Sequence, residues 1–360
     1  RRPAGTATSG GAAWGAEGVV GGAAYASRLS PRGAITADAP EKVSLLLLEP
    51  RFGADVFFSR RFEPLLAPRV VVATNAELAR GAPPDLVVWP ESILMHLAVL
   101  EDGLPRVRWR PEATELRLPP ATRLLAGSML LREPRDPAPW VLGLLTDARG
   151  NYLDHHEKRR RVPGGEHAPF LDLLPGAVAD WIRASFENAF GVPVQEISPG
   201  RSRPPLRTGS GVPFGAMVCF DNAFPEPTED LVRQGARFLV VLSNEAWYRG
   251  GAELDQMVAM TVCRAIECGI GIARCTVDGA TAVVTPDGRV AASLPWPGPP
   301  EASGFLRYDL PLPPVGQPAV PPLHRLLVWL LAVAALALLP PVWGSCGRLF
   351  RRRSEPATTR

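Results

Sequence analysis

The sequence predicts one layered α/β domain followed by a C-terminal transmembrane helix. Three observations predict it. Short apolar runs bounded by turn residues recur from Val43 onward, which is the texture of buried strands. Helical stretches lie between these runs, and such alternation favours a layered α/β domain. Near the end, residues 326–347 (LLVWLLAVAALALLPPVWGSCG) carry no charge and are long enough to cross a hydrocarbon core of about 30 Å.

Taken in order, residues 1–42 are rich in Gly, Ala and Ser and read as a lead segment or the end of a membrane region. The chain starts Arg-Arg, so a fragment of something longer is expected. The domain is expected over 43–310. Its strands are VSLLLLE (43–49), DLVVWP (85–90), RLLAGSML (123–130), WVLGLL (140–145), FGAMVCF (214–220), FLVVLSN (238–244), GIGIARC (269–275) and ATAVV (280–284). TDARGNY (146–152) and TPDGRV (285–290) carry hairpin-turn chemistry. The clearest helix is ELDQMVAMTVCRAIECG (253–269). Leu254, Met257, Thr261 and Ala265 share one face, and Gly269 suits its stop. Residues 311–325 form a Pro-rich stalk, 326–347 the membrane span, and 348–360 a basic tail. Trp329 and Trp343 lie near the ends of the span. Arg348 and Arg351–Arg353 place its end in the cytoplasm, so the domain is expected on the far side.

With 360 residues, 46% of them hydrophobic, a sizeable core is possible. A net charge of +3 gives no sign of nucleic-acid binding. Five cysteines (219, 263, 268, 275 and 346) show neither zinc-like nor C-x-x-C spacing, so neither a metal site nor a disulfide framework is expected.

Three residues could work together. Glu91 follows LVVWP. Partly desolvated at a strand end, it suits a general base; its plainer reading is a helix-starting Glu after Pro. Lys158 opens a basic run (158–161) that reads most simply as a solvated face. Yet it is one of two lysines in the chain, beside Lys42, and a compact point charge suits an oxyanion. Cys219 ends GAMVC and could be a nucleophile if a base or cation lies near it, or simply a small buried hydrophobe. Cys263, Cys268 and Cys275 are expected to be cysteines of that inert, buried kind.

Together, VVWPES (87–92), KRRRVPGGEHAPF (158–170), VCFDNAFPE (218–226) and SNEAWY (243–248) resemble the nitrilase (carbon–nitrogen hydrolase) superfamily, and within it the apolipoprotein N-acyltransferases. QMVAMTVCRAIECG and ARCTVDGATAVVTPDG continue the likeness, which covers roughly residues 43–310. The resemblance implies an α-β-β-α sandwich with Cys219 on a sharp strand-to-helix turn. It implies Glu91 as base, Lys158 as oxyanion stabiliser, Cys219 as nucleophile and Glu166 as a second acid. It further implies Phe220, Asp221, Asn244, Trp247 and Gln256 as substrate-contacting residues, with Phe220 and Trp247 lining an acyl pocket. No cofactor is implied. The partners implied are a phospholipid acyl donor, a diacylated lipoprotein acceptor and the bacterial inner membrane, with the domain on the periplasmic side.

Against the pattern of that branch, Asp221 stands for Glu, Glu245 for Asp, Asp278 for Asn, Gly164 for an aromatic residue and Met257 for His. The upstream bundle of membrane helices that the resemblance implies is not in this sequence, so a fragment or truncated form is expected. The alternative is a membrane-anchored amidase or nitrilase that uses water in place of a lipoprotein amine.

Overall fold

In strand β1 (Lys42–Glu49), Leu45 and Leu47 face one apolar cluster while Leu46 and Leu48 face another. Successive side chains of a strand point to opposite faces, so a strand apolar at every position must be covered on both sides. That condition builds the molecule in layers. The computed structural model describes residues 41–53, 67–101, 104–107, 116–131, 138–190, 196–248, 251–300, 302–314, 329–331 and 333–334.

One sheet contains β1, β2 (Leu86–Glu101), β3 (Leu104–Val107), β4 (Arg123–Leu131), β5 (Trp140–Thr146), β6 (Tyr152–Glu157) and the last strand, Gly304–Pro311. The other contains β7 (Leu206–Arg207), β8 (Pro213–Val218), β9 (Phe238–Ser243), β10 (Gly271–Thr276), β11 (Ala282–Val284) and β12 (Val290–Ser293), which makes Gly304–Pro311 β13. Their orders are β13-β1-β2-β4-β5-β6, with β3 on β2, and β12-β11-β10-β9-β8-β7. The centre of each sheet is parallel: β1, β2 and β4 in one, β8, β9 and β10 in the other. Because β5 is antiparallel to both β4 and β6, β6 runs in the same sense as β4.

The two sheets stack through Leu45, Leu47, Val88, Leu125, Phe214, Ala216, Val240, Leu242, Ala273 and Cys275, all but dry. Burying one such aliphatic side chain contributes about 1.5–3 kcal/mol. The outer face of the second sheet is covered by helices Pro225–Arg233 and Ala252–Cys268 through Leu231, Ala265 and Cys268. The outer face of the first is covered by the turn Ala67–Val72, which leads into helix Ala73–Leu78, through Val70 and Val71. The architecture is therefore the expected α-β-β-α sandwich. In chain order the helices are α1 (Ala73–Leu78), α2 (Gly176–Phe190), α3 (Pro225–Arg233) and α4 (Ala252–Cys268).

Both hairpin turns form, with Gly150 at φ 79° and Gly288 at φ 82°. Helix α4 buries Leu254, Met257, Thr261 and Ala265, and Gly269 closes it at φ 61°. One expectation is corrected: Cys263 is exposed. It lies nine residues after Leu254, and at 3.6 residues per turn that is the opposite side of the helix.

Among the described residues no helix is long and apolar enough to cross a membrane. The expected span 326–347 lies outside the described residues except for 329–331 and 333–334, which are helical and exposed, with Trp329 and Leu331 among them. The lead segment up to residue 40, the basic tail and Cys346 lie outside them altogether.

Candidate active site

The parallel strands deliver chemistry at one edge, where their C-terminal ends meet, as open α/β sheets commonly do. In β2 the pairing with β4 is regular from Leu86 to Trp89 and resumes at Leu94 opposite Ser128. The four residues between them, Pro90–Ile93, bulge out opposite Gly127. Pro90 lacks an N–H for the ladder, and Ser92 turns at φ 65°. A Cβ on Gly127 would lie 2.3 Å from Glu91 Cα, so only glycine lets the bulge sit there. The strand continues past Glu91, so the helix-start reading of this residue is wrong.

Lys158 follows β6 and is 1% exposed, so the solvated-face reading does not hold for it. Its Nζ donates to Glu91 Oε1 at 3.2 Å and also to Glu166 Oε1. Glu166 Oε2 accepts the Val162 N–H at 2.8 Å, and Glu91 Oε2 accepts the Asn244 N–H at 2.9 Å. A buried cation survives only when paired and hydrogen-bonded. Burial works against the Lys158 charge, but the surrounding Cys219, Glu91 and Glu166 outweigh it and hold the ammonium above the ordinary lysine value. Burial, reinforced by Glu166, raises Glu91 above the ordinary carboxylate value, against the pull of Lys158 and the Asn244 N–H.

Strand β8 ends at Val218, and Cys219 opens a tight 3-10 turn, Cys219–Ala223, at φ 49°. This is left-handed backbone that costs a residue with a Cβ of order 1–3 kcal/mol, and such outliers persist where the surroundings over-determine them. Burial and the Glu91 charge push the thiol up to about 12, while Lys158 and a hydrogen bond with Ser243 pull it back. At neutral pH Cys219 is therefore a thiol beside a carboxylate whose proton affinity has been raised. That pair can pass a proton when an electrophile arrives, with Lys158 as a fixed cation for the oxygen that gains charge.

Asp221 is fully buried and turned toward backbone. Its Oδ1 accepts the N–H groups of Arg159 and Arg160 at 3.0 and 2.7 Å, and its Oδ2 accepts that of Val218 at 3.1 Å. Burial raises it to about 6, against those donors and Lys158. Asn244 is buried, and its Oδ1 accepts the Ala246 N–H at 3.3 Å. Phe220 is half-buried and meets Phe224 edge-on at 5.2 Å. Trp247 is 45% exposed, so it is not a core aromatic. Gln256 is exposed on α4. Structure thus brings Glu91, Lys158, Glu166 and Cys219 together. It adds Ser243, the Asn244 N–H and Gly127, which the sequence reading missed. A glycine inside an apolar strand (LLAGSML) was the available signal for Gly127. Among the described residues no group of three or more His, Cys, Asp or Glu could hold a metal ion.

A protein with a buried Glu–Lys–Cys constellation at the shared edge of two sandwiched sheets falls in a definite class. The family model for carbon-nitrogen hydrolases matches residues 70–298, well over half of the chain, and the chain belongs to that family. Within it, the chain is similar to the apolipoprotein N-acyltransferase of Geobacter metallireducens, at 31% identity over 62% of this chain and 41% of that protein. It is 28% identical to that of Azotobacter vinelandii over 81% of this chain and 51% of that one. The chain thus spans about half the length of the curated relatives it matches. Saccharomyces cerevisiae Nit3, a member of branch 10 of the nitrilase superfamily, shares the fold, with a TM-score of 0.53 at 16% identity over 77% of this chain and 93% of that one.

Proposed function

We propose that this chain carries the catalytic domain of a lipoprotein N-acyltransferase. The carrying observation is the buried pair Glu91–Lys158, joined by partly buried Glu166 and facing Cys219 on its left-handed turn. Similarity to the relatives above supports the choice of reaction. In the first step Cys219 Sγ bonds to the acyl carbonyl carbon of a phospholipid as Glu91 takes the thiol proton. Lys158 stabilises the tetrahedral oxyanion, the ester C–O bond breaks, and the lysophospholipid leaves with the proton from Glu91. In the second step the N-terminal amine of a diacylglyceryl-cysteine attacks the thioester. The C–S bond breaks, Glu91 takes the amine proton and returns it to sulfur, and an amide is left. A thioester is activated toward amines and resists water where the site stays dry.

Glu166 holds Lys158 in register. Phe220 and the exposed Trp247 line the acyl path, with Asn244 and Gln256 at its polar margin, while Asp221 braces the Cys219 turn instead of meeting substrate. The domain (43–310) sits on the periplasmic side of a bacterial inner membrane, carried by the stalk and the span 326–347.

Intact mass after incubation with phospholipid, beside a Cys219→Ala control, tests this. A hydroxylamine-sensitive acyl adduct on the wild type alone is expected. No adduct, with hydrolysis of small amides instead, overturns the reading in favour of a membrane-anchored amidase.

A further inference from the structure

Arg274 lies within β10, in the sequence GIARCT, and is wholly buried. A guanidinium in a dry core is costly unless it is paired, and nothing in the Glu–Lys–Cys chemistry requires one here. Arg274 Nη2 forms an ion pair with Glu245, itself buried. Its Nη1 donates to Thr261 Oγ1 at 3.4 Å. Thr261 Oγ1 also accepts Asn222 Nδ2 at 2.9 Å, and Asn222 belongs to the turn that Cys219 opens. On the other side, Ser243 Oγ donates to Glu245 Oε1 at 3.3 Å, and the same hydroxyl lies next to the Cys219 thiol. Glu245 Oε2 is anchored by the Ala280 N–H at 3.0 Å. These contacts close a ring of buried polar groups that leaves the Cys219 turn through Asn222 and returns to Sγ through Ser243.

We propose that Arg274, clamped between Glu245 and Thr261, is a positioning residue that fixes the Cys219 turn and sets a second buried positive charge behind the thiolate. The proposal rests on Cys219 being the nucleophile. Burial lowers Arg274 to about 10, opposed by Cys219, so it remains a cation at neutral pH. The other charged or titratable groups facing Cys219 are Glu91 from β2, Lys158 and Glu166 from the segment after β6, and Tyr248 after β9.

The test is the rate of Cys219 alkylation by iodoacetamide against pH, in the whole chain, read on the peptide containing residue 219. Arg274→Gln is expected to displace the profile about one unit to higher pH, a ~tenfold slower rate at fixed pH. Glu245→Gln is expected to displace it to lower pH, and Arg274→Lys to restore most of the wild-type profile. Opposite displacements by the two neutralisations are what a merely structural pair would not produce. Should Arg274→Gln fail to fold, Glu245→Gln decides: a downward shift supports the proposal, and an unmoved or upward one overturns it. A reactive wild type with unmoved profiles in the variants overturns this inference alone. A wild-type Cys219 that never alkylates overturns the nucleophile reading and this inference with it.

Discussion

The Asp221 carboxylate accepts the backbone N–H of Arg160 at 2.7 Å, so a residue two places after Cys219 holds the segment that follows Lys158. The same carboxylate holds the N–H groups of Arg159 and Val218. Cys219 and Lys158 are thereby tied together through main chain, without a direct bond between their side chains.

This brace has a pH signature. Burial raises Asp221 from 3.8 to about 6. Between those values the folded state keeps a proton that the unfolded chain has released, so stability is greater below the window and falls as pH rises through it. A rise of about two units corresponds to ~3 kcal/mol. Asp221→Asn is expected to flatten this slope. It is also expected to lose about 1–3 kcal/mol at acidic pH, where wild-type Asp221 is neutral too, because an amide cannot replace both acceptor oxygens. Urea denaturation of both proteins across the window checks it; equal slopes would count against the brace.

Glu91→Gln keeps the shape of the bulge and the Asn244 contact but cannot take a proton. Acyl-adduct formation is expected to fall by about 10²–10⁴-fold, with a loss of about 1–3 kcal/mol of stability because the amide keeps only one of the two acceptor oxygens and loses the Lys158 contact. In the wild type, activity is expected to fall with decreasing pH at a point above the ordinary carboxylate range, because Glu91 is raised and must be deprotonated to act. A rate–pH profile shows where that limb lies.

Gly127→Ala tests the bulge itself. The new methyl group would overlap Glu91 Cα and Pro90 O at 2.3 and 2.5 Å, both backbone atoms. Overpacking of this kind costs about 1–3 kcal/mol, and displacing the base by about 1 Å can cost on the order of 100-fold in rate. The expected result is a folded protein with a modest loss of stability and a large loss of adduct formation. Unchanged adduct formation would mean that the bulge does not set the position of Glu91.

Among the four free cysteines described, Cys263 is the exposed one. Brief treatment with a bulky maleimide at neutral pH is expected to label Cys263 before Cys219, Cys268 and Cys275. Cys275, fully buried with its thiol donating to Leu48 O at 3.1 Å, is expected to stay protected until unfolding. Peptide mapping distinguishes the two, and Cys263→Ser gives a cleaner background for studies of Cys219.

Much of the molecule was legible along the chain because the signals are local. Every strand expected over 43–284 formed: an all-apolar run must be buried, and Gly or Asp-Gly turns punctuate it. Strand ends were less legible. FGAMVCF stops at Val218, since a strand cannot absorb the left-handed Cys219, and DLVVWP runs on through Glu91 once Gly127 makes room for the bulge. Cys263 was misjudged because composition alone does not say which side of a helix a cysteine takes.

The residue types of the site, and the family to which they belong, were determined by the sequence by itself, because the short stretches around the carboxylate, the ammonium and the thiol are patterns written in neighbouring residues. Their support was settled by folding. Glu91 is held by the N–H of Asn244, 153 residues away, Lys158 is tied to Cys219 by Asp221, and Arg274 meets Asn222 through Thr261. These partners join separate strands and helices at a buried edge, where an unpaired polar group is costly. The pairing follows from which elements the sandwich brings together, and a linear order of residues carries no record of it.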